Sequence, residues 1–257
     1  MTSPKRKIQM SNPTAGVTFW DHLDELRSRL VKVLLVFAVS AVVVFLLKDS
    51  LFAVVLAPSQ GDFVSYRVLG IPPFSIHLIN TGLTEQFMVH MRTAMFVGLL
   101  VASPYIIYEL FRFVSPGLYA NERRYALWVV GSAYVMFIAG LLLNYFLVFP
   151  LTVRFLGTYQ VSTVVSNMLT LQSYIDTLIG MSFMMGVLFE LPVLCWLLSC
   201  FGLINASMMS QYRRHAIVAI LIVAAIVTPT TDVFTLFVVS LPIWLLYELS
   251  ILIVKLH

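Results

Sequence analysis

Charge is what this sequence has least of. Acidic and basic side chains make up 11% of the 257 residues, where a soluble domain carries about a quarter. There is also no Walker A pattern, no glycine-rich dinucleotide loop and no Cys-x-x-Cys pair, so no signature of ATPase, nucleotide or dithiol chemistry is present. Both cysteines, Cys195 and Cys200, lie in one hydrophobic segment. They read as small buried apolar residues and say nothing of redox compartment. His22 and Glu25 stand three apart, but no further His or Cys lies nearby in sequence to complete a metal site. No Ser/His pair falls at one depth. Neither an enzyme, a metal nor a cofactor is expected.

Apolar residues fill the space that charge leaves. They form 60% of the chain, and mean hydropathy is +0.94. No soluble core of this size hides so much apolar surface, so the solvent is lipid and the fold class is an all-α membrane protein. Met1 to Thr18 is polar and reads as a mobile cytoplasmic tail with no cleavable signal peptide. Residues 19–257 read as a single membrane domain of six transmembrane helices. Phe19, Leu23, Leu26 and Leu30 share one helical face, which predicts a helix lying at the membrane surface before the first span.

The spans are predicted at about Leu30–Leu47, Gln86–Phe113, Tyr125–Pro150, Ser173–Phe201, His215–Thr228 and Val233–Val254. Lys48 to Glu85 predicts short helices or turns packed over one end of the bundle, and Leu151 to Gln172 a polar connection. Only 14 residues separate Arg214 from Pro229. At 1.5 Å each they reach roughly 21 Å, against a bilayer core about 30 Å thick. The last two spans therefore read as a short hairpin that thins the membrane or recruits partners.

Six spans put both termini on one side. That side holds Lys5, Arg6, Lys7, Arg27, Arg29, Lys32, Arg112, Arg123, Arg124, Arg213, Arg214 and Lys255, against Lys48, Arg67, Arg92 and Arg154 on the other. The excess of positive charge assigns both termini to the cytoplasm. The pI near 9.1 then reflects topology, and no basic patch with interleaved aromatics points to nucleic acid.

The few acids carry the functional signal. Glu190 sits in the middle of an apolar run, two residues before Pro192. A carboxylate at that depth costs roughly 2.5–3.5 kcal/mol on insertion scales, so it reads as facing a partner or a wet cavity. The plainer alternative is a protonated Glu190 hydrogen-bonded inside the bundle. Glu25 and Glu122 belong to the cytoplasmic edge, where carboxylates suit a guanidinium ligand. Their plainer alternatives are an i, i+4 pair of Glu25 with Arg29 and a solvated loop charge beside Arg123. Glu109, Glu190, Asp232 and Glu248 together leave a second function open, a proton-coupled small-solute transporter centred on Glu190. The two halves lack the internal repeat common in transporters.

Phe19-Trp-Asp-His-Leu-Asp-Glu-Leu-Arg-Ser-Arg29 resembles the amino-terminal signature of the TatC family, the multi-spanning core of the twin-arginine protein translocase. Ala57-Pro58, Ser103-Pro-Tyr-Ile-Ile-Tyr through Phe113 to Pro116-Gly-Leu-Tyr and Glu122-Arg-Arg, Phe149-Pro-Leu151, Phe189-Glu-Leu-Pro192, and Thr228-Pro with Asp232 leading to Leu246-Tyr-Glu248 follow in the family's order. The resemblance implies a glove-like bundle in the plasma (inner) membrane, driven by the proton motive force without ATP. It implies twin-arginine signal peptides of folded precursors as ligands, bound by Glu25 and Glu122 with Arg27 and Phe113 nearby. Glu190 would be an intramembrane polar site on the concave side. Single-span TatA and TatB subunits and further copies of the chain would be partners, with partner-helix contacts at Thr228, Asp232 and Thr235. Two departures stand out: the turn Thr228-Pro-Thr-Thr-Asp232 is one residue longer than usual, and Leu236 stands where many relatives have Gln. There Thr231 or Thr235 is expected to supply the polar contact.

Overall fold

The computed structural model of the chain describes residues 19–72, 74, 76–114, 122–160, 168–228 and 232–256, with the side chains of 19–22, 110, 111, 113, 114 and 122–128 outside that description. The expected mobile tail, residues 1–18, lies outside it too, as does Thr231. Helix α1 (Phe19–Leu46) is one unbroken element of 28 residues. The stretch expected at the surface and the first span form one continuous helix, since no proline or glycine interrupts it. The ladder ends at Leu47, whose N–H is shared between the carbonyls of Val43 and Val44. The connection that follows folds as α2 (Lys48–Val55), a tight turn at Ala57–Ser59, α3 (Val64–Val68) and strand β1 (Leu78–Ile79).

Helix α4 (Glu85–Val114) carries Pro104 inside it. Proline withholds the N–H that would bond the carbonyl four residues back, here that of Leu100. The Ser103 hydroxyl donates to that carbonyl at 2.6 Å, so the helix continues. Helix α5 (Glu122–Leu143) widens through a π-type turn at Asn144–Val148 and runs on as α6 (Phe149–Thr158). The third span thus passes Pro150 by eight residues, where a polar connection was expected. Pro150 sits in the first turn of α6, and the Phe146 carbonyl it leaves unbonded accepts from the Ser65 hydroxyl on α3.

After strand β2 (Leu169–Thr170) come α7 (Leu171–Leu188) and α8 (Leu191–Cys200), separated at Phe189–Glu190. The predicted bend is there, with Pro192 in the first turn of α8. Then follow α9 (Ala206–Gln211), capped by the Asn205 side chain, α10 (Arg213–Val227) and α11 (Val233–Leu256). Among the described residues five helical stretches are long and apolar enough to cross a membrane: Leu23–Leu46, Glu85–Glu109, Val129–Thr158, Leu171–Cys200 and Val233–Leu256. The 15 residues of α10 span roughly 22 Å. Shortness is confined to α10, because α11 runs 24 residues with the buried Pro242 absorbed inside it.

In lipid no hydrophobic force drives helices together, so close packing and polar contacts must. Helices α1 and α4 are antiparallel: Arg29 meets Glu109 at one end, and Phe45 stacks on His90 at the other. They touch at Gly98, where a Cβ would come within 2.6 Å of Ala41 Cα. Helices α5 and α7 cross the same way, with Gly140 under Met185 and Phe189 and Gly186 under Phe137. Helix α11 lies against α6, α8 and α10. The core gathers Phe149, Ile175, Met181, Met185, Val239 and Ile243.

The bundle has two distinct ends. At the end opposite Glu25 and Lys255, β1 and β2 pair in parallel, Leu78 with Leu169 and Ile79 with Thr170. Glu85 staples the two connections there. Its Oε2 accepts from Thr81 N (3.0 Å), Gly82 N (2.8 Å) and the Thr81 hydroxyl (3.1 Å), and its Oε1 accepts from Gln172 N (3.2 Å). The Tyr66 hydroxyl, fully buried, donates its proton between the carbonyls of Pro58 (2.7 Å) and Pro150 (3.1 Å). Burial pushes that hydroxyl's pKa above its ordinary range.

Candidate functional site

At the end where α1 begins and α4 finishes, an arginine is gripped by two acids. Glu25 and Arg29 lie one helical turn apart on α1, the spacing that brings side chains together. Arg29 donates through Nε (3.2 Å) and Nη2 to one oxygen of Glu25, Oε1. Its Nη1 donates to Oε2 of Glu109 on α4 at 3.0 Å. The other Glu109 oxygen accepts from the Tyr105 hydroxyl, one turn earlier on the same helix, at 3.2 Å. Side-chain exposure rises along the chain of contacts, from 6% at Glu109 and 12% at Arg29 to 37% at Glu25. The cluster is therefore sealed from below and open at Glu25. Two carboxylates face one guanidinium.

The i, i+4 pair that the sequence offered as the plain reading of Glu25 is thus present, but as half of a larger arrangement. Arg27 is exposed and, two residues from Glu25, points to the opposite side of α1. Phe113 lies in the last turn of α4 and Glu122 opens α5; their side chains fall outside the described residues. Glu109 and Tyr105 are members that sequence reading did not assign to this mouth. The only sequence signal was helical spacing within each helix, and nothing in it joins residue 29 to residue 109.

Glu190 sits at the joint between α7 and α8, half-buried. None of the described side chains hydrogen-bonds its carboxylate. The acids of the transporter alternative do not line up with it. Glu109 is held by Arg29, Glu248 accepts from Arg213 Nη2 at 2.8 Å, and Asp232 caps α11 by accepting from Thr235 N at 2.7 Å. The first two sit at the Glu25 end and the third at the opposite end.

Thr228 and Thr235 are buried. The Thr228 hydroxyl turns back to the Ala224 carbonyl (3.0 Å), while the Thr235 hydroxyl has no hydrogen-bond partner among the described residues. Leu236 packs against the core. The open surface between α10 and α11 lies further along, an apolar groove of about 280 Å³ lined by Ile217, Ile220, Leu221, Phe237, Ser240, Leu241 and Trp244.

The family model described as Sec-independent protein translocase protein (TatC) matches residues 21–242. A curated Sec-independent protein translocase protein TatC from Deinococcus radiodurans is 35% identical over 92% of this chain and 85% of that protein. The Bacillus subtilis protein TatCy is 30% identical over 91% of this chain and 87% of its own length. Among solved structures, a crystal structure of the twin arginine translocase receptor TatC superposes with a TM-score of 0.72 at 30% identity, covering 91% of this chain and 98% of that one.

Proposed function

The chain belongs to the TatC family of Sec-independent protein translocase proteins, and from that premise we propose that it is the translocase subunit that captures twin-arginine signal peptides. The observation that carries the reading is Glu25: a half-exposed carboxylate at the mouth, standing over an arginine already claimed by a buried acid. Such a carboxylate grips a guanidinium through short charge-assisted hydrogen bonds. Lys, a compact point charge, matches that geometry less well. Glu122 at the start of α5 supplies the second acid for the second arginine, with Phe113 and Arg27 flanking.

The remaining assignments follow from the same reading. Six spans, α10 being the short one, set the chain in the plasma membrane with both termini in the cytoplasm, the side its basic residues favour. Glu190, with no hydrogen-bonding side chain among the described residues, meets a polar group of a partner or of water during transport driven by the proton motive force. The α10/α11 groove receives the single helix of a TatA- or TatB-type subunit, and further copies of the chain complete the assembly. None of these roles calls for catalysis. The transporter alternative is the weaker reading, since two of its four acids are neutralised by arginines.

Photoprobes at positions 25 and 122 test the capture reading. A precursor with an Arg-Arg signal crosslinks at both, and a Lys-Lys signal, or Glu25→Ala with Glu122→Ala, weakens crosslinking. Undiminished capture in the doubly neutralised protein overturns the reading. Glu190→Ala is expected to impair export while leaving signal-peptide binding intact.

A further inference from the structure

We propose that Arg92 holds a phospholipid. The edge of its guanidinium that Asp176 leaves unused takes a lipid phosphate from the leaflet at the Glu85 end, drawn inward along the open face of α4 and α7. The site lies away from the mouth where Glu25 stands, and it holds or fails independently of the capture reading.

Arg92 and Asp176 sit where charge is hard to accommodate. Both lie inside stretches able to cross a membrane, Glu85–Glu109 and Leu171–Cys200. Arg92 is about two turns in from Glu85, roughly 10 Å along the helix axis, and Asp176 is more than a turn in from Leu171. The two side chains pair: Arg92 Nη1 donates to Oδ1 of Asp176 at 2.9 Å and to Oδ2 at 3.2 Å. The pair is nevertheless open, with side chains 54% and 43% exposed. The other ion pairs differ. Glu109 and Arg29 are nearly sealed, Arg67 and Asp62 lie in a connection, and Arg213 stands at the start of the short α10. Among the described ion pairs, Arg92 with Asp176 alone has both partners inside long spans and both exposed. An arginine in that position draws headgroups or water toward itself and thins the bilayer locally.

The unused donors say which of these it takes. A guanidinium carries five N–H groups and no acceptor. Asp176 occupies one nitrogen, Nη1, and neither Nε nor Nη2 has a hydrogen-bond partner among the described residues. Those two nitrogens form a flat edge that grips a phosphate through two parallel bonds. Asp176 has two effects on that edge: it fixes the orientation of the guanidinium, and it offsets part of its charge. Beyond the pair the surface suits acyl chains. Positions 176, 180, 183 and 187 follow one face of α7 at helical spacing, and all four are exposed. Met95 and Leu99 continue the exposed side of α4 beyond Arg92. At Gly180, one turn past Asp176, a Cβ would meet nothing within 4 Å, so the slot below the pair is open.

A purely structural pair, fastening α4 to α7, predicts that removing either partner has the same consequence. A phosphate site predicts opposite ones. Native mass spectrometry of the full-length protein, titrated in detergent with phosphatidylglycerol, reads the affinity of the tightest-bound lipid, and thermal unfolding reports the folded fraction of each variant. Arg92→Gln removes the charged edge and is expected to weaken that lipid about tenfold. Arg92→Lys keeps a charge for Asp176 but has no flat edge, and is expected to fall nearly as far. Asp176→Asn removes the offsetting charge and is expected to tighten binding about threefold. A diacylglycerol glucoside, with the same chains and no phosphate, is expected to bind the parent far more weakly, and excess inorganic phosphate to leave the lipid in place. The proposal is overturned if Arg92→Gln or Arg92→Lys retains lipid like the parent, or if Asp176→Asn loses it as Arg92→Gln does. Equal binding of the phosphate-free lipid, or displacement by inorganic phosphate, overturns it as well.

Discussion

Glu85 and Glu25 are both carboxylates near the start of a membrane-crossing helix, one at each end of the bundle, and they are used in opposite ways. Glu85 accepts four hydrogen bonds, three of them from backbone N–H groups of two different connections. A carboxylate has about four acceptor positions, so Glu85 is saturated by its own chain. Glu25 receives Arg29 on one oxygen, and that arginine is shared with Glu109. The same contrast runs through the surroundings. Around Glu85 the hydroxyls of Tyr66, Tyr145 and Tyr174 end on backbone carbonyls of the first connection or of α6. Around Glu25 the bonds run mainly between charged side chains. The Glu85 end spends its polar groups on the backbone of its own connections, whereas the Glu25 end pairs charged side chains across two helices.

That comparison makes graded predictions for stability in detergent, read by thermal unfolding alongside peptide binding. Glu85→Ala is expected to lower the unfolding temperature most, because it strips acceptors from three backbone N–H groups at once, while binding per folded molecule at the other end stays unchanged. Loss of binding in proportion would break the contrast between the ends. Tyr66→Phe comes next, with a loss of about 1 kcal/mol, since one buried hydroxyl's hydrogen bond is removed while the ring stays packed. Glu248→Gln is the smallest: its pair with Arg213 is part-exposed, at 30% and 50%, and such pairs contribute about 0–1 kcal/mol. A loss there as large as that of Glu85→Ala would show that the Glu25 end also carries the fold.

Much of the architecture was readable beforehand, for reasons that can be named. Apolar runs of about 20 residues are demanded by bilayer thickness, so the long spans appear in α1, α4, α5–α6, α7–α8 and α11, and the shortness of α10 could be counted. Pro192 predicted the joint at Glu190 because a missing N–H acts locally. Pro150 and Pro104 misled or would have misled the same rule. Their freed carbonyls are met by Ser65, 81 residues from Phe146, and by Ser103 beside it, and only the second of these is visible in sequence. Acids were found but not all their companions: Glu190 was singled out by hydropathy and Glu25 by its place at the cytoplasmic edge and the family resemblance, whereas Glu109 and Glu248 were grouped with a proton path until their arginines came into view.

Lipid as solvent lets one-dimensional information go far in this protein. Span length, the order of the elements, the scarcity of charge and the depth of each acid all follow from the cost of placing polar groups in hydrocarbon, which each residue meets on its own. What the tertiary structure alone decided is which charges share a partner. Arg29 reaches Glu109 across 80 residues of chain because Gly98 and Ala41 let α1 and α4 run close together, and an ion pair exists only where two side chains arrive within about 3 Å of each other.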